Sequence, residues 1–268
     1  MLERQGEHQA AFELASKALN SSPNETEHQA LSRLLPRLRR RLKLPASPSD
    51  PEPAHERWDL QLPGPQSVER AVAQTLSEPQ APVCYVENSL ITGLFGLLCW
   101  PAIFAPLPGA FFHPFHNGPA DLYRDDFVAR RRDAFDACLA RLEDGSYREV
   151  IQASWREKTG LASPFVHWAI VDEALVELAL ACIPAEHLRR CFERLLGDLK
   201  ANRAGLPDLI QFMPDAPAGE PRYRMIEVKG PGDRLQDNQR RWLTFFHRHE
   251  MPVAVCYVRW VASDELEV

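Results

Sequence analysis

Three ionisable side chains in the C-terminal part of the chain have a spacing that could hold a divalent metal ion. Asp208 opens one short β-prone segment, and Glu227 and Lys229 stand two residues apart near the end of the next one. Because side chains alternate along a strand, Glu227 and Lys229 project from one face, whereas Ile226 and Val228 point to the opposite, buried face. If the two strands pair antiparallel, Asp208 can lie beside Glu227.

Two convergent carboxylates need a neutralising charge, and a hard cation such as Mg²⁺ or Mn²⁺ supplies it through oxygen ligands. The backbone carbonyl of Val228 could add another oxygen. Such an ion activates water and offsets charge on a phosphate, while Lys229 could orient the water or stabilise the transition state. The bare pattern is equally compatible with a surface strand that carries a solvated Glu227/Lys229 pair.

The elements that must position these residues are predicted from local patterns. Apolar periodicity in residues 5–43 predicts two helices of tetratricopeptide type, and six prolines in 45–65 indicate a linker or extended surface segment. Further helices are predicted at 66–79, 86–100, 121–143, 146–159, 165–180, 184–201 and 234–249. Strands are predicted at 208–213, 222–229 and 253–260. This order favours an α/β unit at the C-terminus.

Composition excludes several classes of protein. The chain has 268 residues, 45% of them hydrophobic, and a net charge of −6, so it is neither a disordered chain nor a uniformly basic DNA-coating protein. No apolar stretch is long enough to predict a membrane span, and the N-terminus lacks the apolar core of a signal peptide. The six cysteines form no C-x-x-C pair, which indicates reduced core thiols.

A longer set of motifs resembles one known family. The strings are Gly205-Leu206-Pro207-Asp208-Leu209, Glu227-Val228-Lys229-Gly230-Pro231, Gln239 with Trp242-Leu243, and Glu87 before Gly93-Leu94-Phe95-Gly96-Leu97-Leu98-Cys99-Trp100. Together they resemble the VRR-NUC domain of the PD-(D/E)xK superfamily and, within it, the Fanconi-associated structure-specific nucleases. The segments Ala120-Asp121-Leu122-Tyr123 and Arg130-Arg131-Arg132 also fit, so the likeness covers about residues 80–260.

The resemblance implies a role for each matching residue. Glu87, Asp208, Glu227 and the Val228 carbonyl would be metal ligands for Mg²⁺ or Mn²⁺, Lys229 the catalytic lysine, and Gln239 a supporting active-site residue. The family cleaves 5′ flaps and related branched DNA, acts as a 5′ exonuclease and serves interstrand-crosslink repair.

Six arginines are predicted to contact DNA phosphates. They are Arg130, Arg131, Arg132, Arg234, Arg240 and Arg241. For the first three, a solvated helix face flanked by acids is the competing interpretation. Longer family members carry a zinc finger and a SAP-type DNA-binding domain. Neither is recognisable here, which indicates a fragment or a short bacterial-type member.

The sequence therefore predicts an α/β protein with a helical repeat-like segment at 1–44, a linker at 45–65 and a nuclease domain at 66–268. The catalytic core, about 184–262, would be restriction-endonuclease-like, with a small mixed sheet flanked by helices. The predicted partner is branched or flapped DNA, without a membrane, in the bacterial cytoplasm or, in a eukaryote, the nucleus. The alternative is a non-catalytic DNA-binding or scaffold protein with an inert nuclease fold.

Overall fold

The computed structural model describes residues 2–21, 25–45, 55–113 and 115–261, and the chain divides into two compact units, Met1–Glu52 and Pro53–Val268. In the first unit, a short 3₁₀ segment precedes helices α1, His8–Ser21, and α2, Glu25–Arg41. The two helices share a small apolar cluster around Ala11, Ala15 and Leu38. The predicted pair of helices is thus present, and its assignment to a tetratricopeptide repeat stays a prediction.

The second unit is a mixed α/β structure, as predicted. Its helices are α3 Val68–Leu76, α4 Leu90–Leu98, α5 Trp100–Ile103, α6 Arg132–Asp144, α7 Tyr147–Lys158, α8 Glu173–Cys182, α9 Ala185–Gly197, α10 Leu199–Asn202 and α11 Asp237–Arg248. Its strands are β1 Glu56–Pro63, β2 Val83–Tyr85, β3 Leu209–Phe212, β4 Tyr223–Lys229 and β5 Val253–Val261.

The five strands form one sheet in the order β1-β5-β4-β3-β2. Strand β4 pairs antiparallel with β3 and parallel with β5, and β1 pairs parallel with β5. The short strand β2 pairs antiparallel with β3 at the edge of the sheet. The antiparallel pairing on which the approach of Asp208 to Glu227 depends is therefore present.

The sheet is covered by apolar side chains on both faces. Ile226 and Val228 of β4 pack against Ala71 and Val72 of α3, as their alternation predicts. Tyr223 and Met225, on the other face of β4, join the large core formed by the remaining helices. Glu227 and Lys229 continue this second face beyond the apolar residues, so the strand itself brings them to the border of the core.

The structure corrects the predicted linker at 45–65. Residues 46–54 lie outside the described residues, but Glu56–Pro63 forms β1, which pairs with β5 along its whole length. Leu62 of this strand is buried, and Trp58 and Leu60 pack on the same cluster. Proline lies at the end of the strand and after it, where it costs no ladder hydrogen bond at the edge of the sheet.

Several helix boundaries also differ from the prediction. The helix expected at 165–180 begins at Glu173, because the Asp172 side chain accepts a hydrogen bond from Leu175 N and caps it there. The helix expected at 121–143 begins as α6 at Arg132, after a series of turns. All six cysteines are free thiols. None of the described helices is long and apolar enough to span a bilayer.

Candidate active site

Asp208 lies where three strands meet. In the register of β3 with β4, Leu209 faces Ile226, so the preceding Asp208 stands opposite Glu227. Its Oδ2 accepts a hydrogen bond from Val228 N at 2.8 Å. Its carbonyl oxygen accepts from the main-chain nitrogens of Val86 and Glu87 at 2.8 and 3.1 Å. These contacts fix the position of the carboxylate from both sides.

Glu227 and Lys229 form a buried ion pair on the same face of β4. Lys229 Nζ lies 2.7 Å from Glu227 Oε1. The Lys229 side chain is 7% exposed and the Glu227 side chain 1%. Although the ammonium is close, this oxygen has no partner that meets hydrogen-bond geometry in the described part of the chain. A buried carboxylate oxygen in this condition is uncommon and is typical of functional sites.

Burial and neighbouring acids raise the pKa values of both carboxyl groups. For Glu227, burial is the largest cause and the charge of Asp208 the next, and together they raise its pKa to about 8, against the effect of Lys229. The pKa of Asp208 is also raised, mainly by burial, with the charges of Glu69 and Glu87 adding to it. The hydrogen bond from Val228 N and the Lys229 ammonium act in the opposite direction.

This donor set fits a divalent cation of the Mg²⁺ type. Asp208 and Glu227 supply carboxylate oxygens side by side, and the Val228 carbonyl stands between Glu227 and Lys229 in the chain. Mg²⁺ typically takes one or two carboxylates and keeps several waters. No group of three or more His, Cys, Asp or Glu side chains at metal-binding distance occurs within the described ranges. The protein therefore offers two carboxylates, which suits an ion completed by water and phosphate.

Glu87 is placed beside this pair by its main chain, but its carboxylate points to another partner. The residue precedes α4, and Glu87 Oε2 accepts a hydrogen bond from the Tyr85 hydroxyl. The loop is fixed because Asn88, at a φ of 55°, uses its Oδ1 to accept from Leu206 N at 3.0 Å. A direct or water-mediated role of Glu87 as a metal ligand stays a prediction.

Gln239 lies in the first turn of α11 and closes its N-terminus. Its Oε1 accepts a hydrogen bond from Gln236 N at 2.8 Å, one half of a capping box. The same end of the helix packs on the loop before Asp208, since a Cβ at Gly205 would lie 2.7 Å from the Asn238 carbonyl carbon. The structure thus shows a capping role for Gln239, and the predicted active-site role stays a prediction.

The six predicted DNA-contacting arginines fall into different environments. Arg131 is a correction, because its side chain is fully buried and bonds both oxygens of Asp121, at 2.9 and 3.0 Å. A guanidinium in this position neutralises a buried carboxylate and cannot reach a phosphate. Arg130 also bonds Asp121, at 2.6 Å, but keeps 28% of its side chain exposed. Arg132 and Arg234 are exposed, and Arg240 and Arg241 are half-buried on α11.

Two residues at the site were not predicted from the sequence. Tyr85 is 45% exposed and holds Glu87 through its hydroxyl. Glu69, in the first turn of α3, bonds the Ser67 hydroxyl at 3.1 Å and is close enough to raise the pKa of Asp208. The only sequence signal for Tyr85 is its position two residues before Glu87. Glu69 has no such signal, because its proximity to Asp208 depends on how α3 packs on the sheet.

Comparisons with known proteins show which families this chain is similar to. The model of the VRR-NUC domain matches residues 142–260. The Fanconi-associated nuclease 1 homolog of Pseudomonas aeruginosa is 57% identical over 266 residues, which is 98% of this chain and 47% of that protein. The human Fanconi-associated nuclease 1 is 31% identical over 177 residues, 64% of this chain and 17% of that protein.

A solved structure matches the fold closely. It is a crystal structure of paFAN1 bound to 2-nt 5′ flap DNA with a gap, and it superposes with a TM-score of 0.90 at 57% identity. The match covers 98% of this chain and 48% of that one, so the chain spans about half the length of this relative. The matched regions include Asp208, Glu227 and Lys229. The chain therefore carries a VRR-NUC domain and, over 98% of its length, is similar to about half of a Fanconi-associated nuclease 1 homolog.

Proposed function

We propose that this protein is a metal-dependent, structure-specific DNA nuclease that hydrolyses phosphodiester bonds at 5′ flaps and related branched DNA. The observation that carries the proposal is the buried cluster of Asp208, Glu227 and Lys229 at the junction of β3 and β4. A carboxylate pair with an adjacent ammonium suits hydrolysis of a phosphodiester. The proposed substrate is supported by the 5′ flap DNA bound to the related paFAN1 structure.

Each residue of the candidate site has its own role in this proposal. Asp208 and Glu227 would hold Mg²⁺ or Mn²⁺ together with the Val228 carbonyl, and Glu87 would complete the site directly or through water. When bound, the cation supplies positive charge to the scissile phosphate and makes water a better nucleophile. The hydrogen bond from Val228 N holds Asp208 Oδ2 in a fixed position.

Lys229 supplies a second positive charge within the same site. Its ammonium is buried and lies 2.7 Å from Glu227 Oε1, so it needs little reorganisation before the reaction. We propose that it orients the attacking water and stabilises the negative charge that develops on the phosphate. The exposed Arg132 and Arg234 and the α11 residues Arg240 and Arg241 would bind the phosphate backbone, with Arg130 adding its exposed part.

The similarity to the Fanconi-associated nucleases also supports proposals about the core, the N-terminal helices and the biological role. We propose that the core is of the restriction-endonuclease-like PD-(D/E)xK type, that helices α1 and α2 belong to a tetratricopeptide-like array, and that the enzyme serves DNA repair such as interstrand-crosslink repair. A 5′ exonuclease activity would use the same site. These proposals rest on the similarity to the Fanconi-associated nucleases.

A cleavage assay on end-labelled 5′-flap and 3′-flap DNA tests the proposal. The wild-type chain should cut the 5′ flap with Mg²⁺ or Mn²⁺ and not with EDTA. Asp208→Asn should abolish cutting while keeping the fold, because asparagine can still accept from Val228 N. Asp215→Asn, an exposed aspartate in the β3–β4 connection, is the matched control and should cut normally. Binding of flap DNA without any metal-dependent cutting would instead favour an inert scaffold.

A further inference from the structure

A groove lies beside the candidate active site. It lies between α3 and β2, has a volume of about 510 Å³, and is lined by Arg70, Gln74, Ser77 and Tyr85 among others. This volume is within the range of ~300–1,000 Å³ that small-molecule pockets have. The edge of β2 is held to α3 because Val83 N donates to the Ser77 hydroxyl at 3.2 Å. The groove is therefore a defined surface of the second unit.

Both walls of the groove end at the catalytic residues. On the β2 wall, Tyr85 pairs with Leu209, the residue after Asp208, and its hydroxyl bonds Glu87. On the α3 wall, the first residue of the helix, Val68, lies so close to β4 that a Cβ at Gly230 would be 3.2 Å from its Cγ2. The end of the groove therefore lies beside Asp208 and the end of β4.

The chemistry of the lining suits a nucleotide. Tyr85 lines the groove and is 45% exposed, and its hydroxyl is held by Glu87, so its ring has a fixed orientation at the groove. The Arg70 side chain is exposed and has no ion-pair partner among residues 55–113 and 115–261. The acidic side chain in the groove, Glu69, is held by Ser67 on the side towards Asp208. Within the groove, a phosphate would therefore lie beside Arg70 and away from Glu69.

We infer that this groove binds one nucleotide of single-stranded DNA next to the scissile phosphate, with Tyr85 stacking on the base and Arg70 pairing with its phosphate. The inference rests on the proposed nuclease function and adds a binding subsite to it. Every base has an aromatic face, so stacking on Tyr85 is compatible with any sequence, as a structure-specific enzyme requires. The groove would hold the strand in line with the site and so select DNA in which this nucleotide is unpaired.

The test separates the ring of Tyr85 from its hydroxyl. In the full chain with EDTA, binding of fluorescently labelled 5′-flap DNA is measured for wild type, Tyr85→Leu, Tyr85→Phe and Arg70→Gln. Tyr85→Leu should weaken binding roughly tenfold, the usual size of a lost base–aromatic stack, and Tyr85→Phe should bind like wild type. Arg70→Gln should weaken binding and lower the slope of affinity against salt by about one phosphate contact.

A position-specific readout and a control complete the experiment. 2-Aminopurine is placed in turn at each nucleotide around the flap junction, and its fluorescence should change in Tyr85→Leu, but not in Tyr85→Phe, at one unpaired position. Arg156→Gln, an exposed arginine paired with Glu173 on α7 and α8, should bind like wild type. Wild-type affinity in Tyr85→Leu and Arg70→Gln, with no responsive position, overturns the subsite. Wild-type protein that binds but never cuts with Mg²⁺ or Mn²⁺ would instead overturn the proposed nuclease function.

Discussion

The Glu227 carboxyl makes the stability of the metal-free protein depend on pH. Its pKa is about 8 in the folded protein and 4.5 ordinarily, so between these values the folded state holds a proton that the unfolded state has lost. The free energy of unfolding from this group is therefore largest below pH about 4.5 and falls as the pH rises towards 8. The cause is that a buried carboxylate beside Asp208 is costly to ionise.

Glu227→Gln should remove this dependence, because an amide stays neutral at every pH. We expect the metal-free variant to be more stable than wild type at pH 8, by about 1 kcal/mol or more, with the difference shrinking towards pH 5. Urea unfolding in EDTA at several pH values measures it. Added Mg²⁺ should stabilise wild type more than the variant at pH 8. Equal pH profiles for the two proteins would contradict the assignment.

Neighbouring arginines at 131 and 132 should respond to substitution in opposite ways. Arg131→Ala leaves Asp121, which is 1% exposed, with only Arg130 as its partner. We expect it to lower the free energy of unfolding by about 3–5 kcal/mol, the usual cost of breaking a buried ion pair. Arg132→Ala should change stability by no more than about 0.5 kcal/mol, since its side chain is exposed.

Thermal unfolding and flap-DNA binding distinguish the two arginines. Arg132→Ala should weaken DNA binding and flatten its salt dependence, in line with a lost phosphate contact. A stable Arg131→Ala variant with weakened DNA binding would restore the original prediction for that residue.

Helix α11 packs against the loop before Asp208, and this contact positions the site. Gly205 has a φ of 90°, and an added Cβ would lie 2.7 Å from the main chain of Asn238. Gly205→Ala should therefore lower the free energy of unfolding and also reduce cleavage, because the loop must shift away from α11 and carry Asp208 with it. Gly219 has a φ of 93° with nothing within 4 Å of an added Cβ.

Gly219→Ala is thus a control for backbone strain alone. Both variants incur the strain, and Gly205→Ala should lose about 1–3 kcal/mol more, the usual cost of overpacking. Urea unfolding and the flap-cleavage rate measure the difference. If the two variants were equally stable and equally active, the contact between the loop and α11 would not position Asp208.

Gln239 permits a test that separates capping from catalysis. Glutamate at this position can complete the same capping box and is favoured near a helix N-terminus, so Gln239→Glu should keep wild-type stability. Gln239→Ala should lose about 1 kcal/mol with the cap. If the predicted active-site role is right, Gln239→Glu also lowers the cleavage rate in spite of its stability. Full activity in that variant would leave Gln239 as a capping residue alone.

The elements predicted well are those whose patterns are local. Strand β4, helix α11 and strand β5 each carry an apolar alternation or periodicity of their own, and all three lie within about three residues of their predicted bounds. Strand β2 has only three residues and acquires its partner, β3, far along the chain. Strand β1 was hidden by the surrounding prolines. Pairing between distant segments leaves no periodic signal in either segment, so both strands were missed.

The same distinction holds for the candidate site. The convergence of Asp208, Glu227 and Lys229 follows from strand alternation and a pairing direction, and so it could be predicted. The orientation of the Glu87 carboxylate depends on the Tyr85 hydroxyl, and the burial of Arg131 depends on Asp121. From its charge alone, Arg131 is predicted to contact phosphate. Only the tertiary structure shows that its guanidinium is already paired with the Asp121 carboxylate.

The sheet changes from antiparallel to parallel pairing at β4, the strand that carries Glu227 and Lys229. Strand β4 has an antiparallel neighbour, β3, on one side and a parallel neighbour, β5, on the other. Because Glu227 and Lys229 lie on this central strand, they are held by hydrogen bonds from both sides. The exposed edge of the sheet at β2 instead carries the groove, where DNA could enter without disturbing the central strands.

The pairing of β1 with β5 also has a consequence for synthesis on the ribosome. The partner of Glu56–Pro63, Val253–Val261, is translated about two hundred residues after it. Until then, β4 also lacks its parallel neighbour, and the acidic pair it carries has no rigid support. We expect the candidate site to form only after β5 leaves the exit tunnel, so that nascent chains lack the arrangement of Asp208, Glu227 and Lys229 that the completed sheet supports.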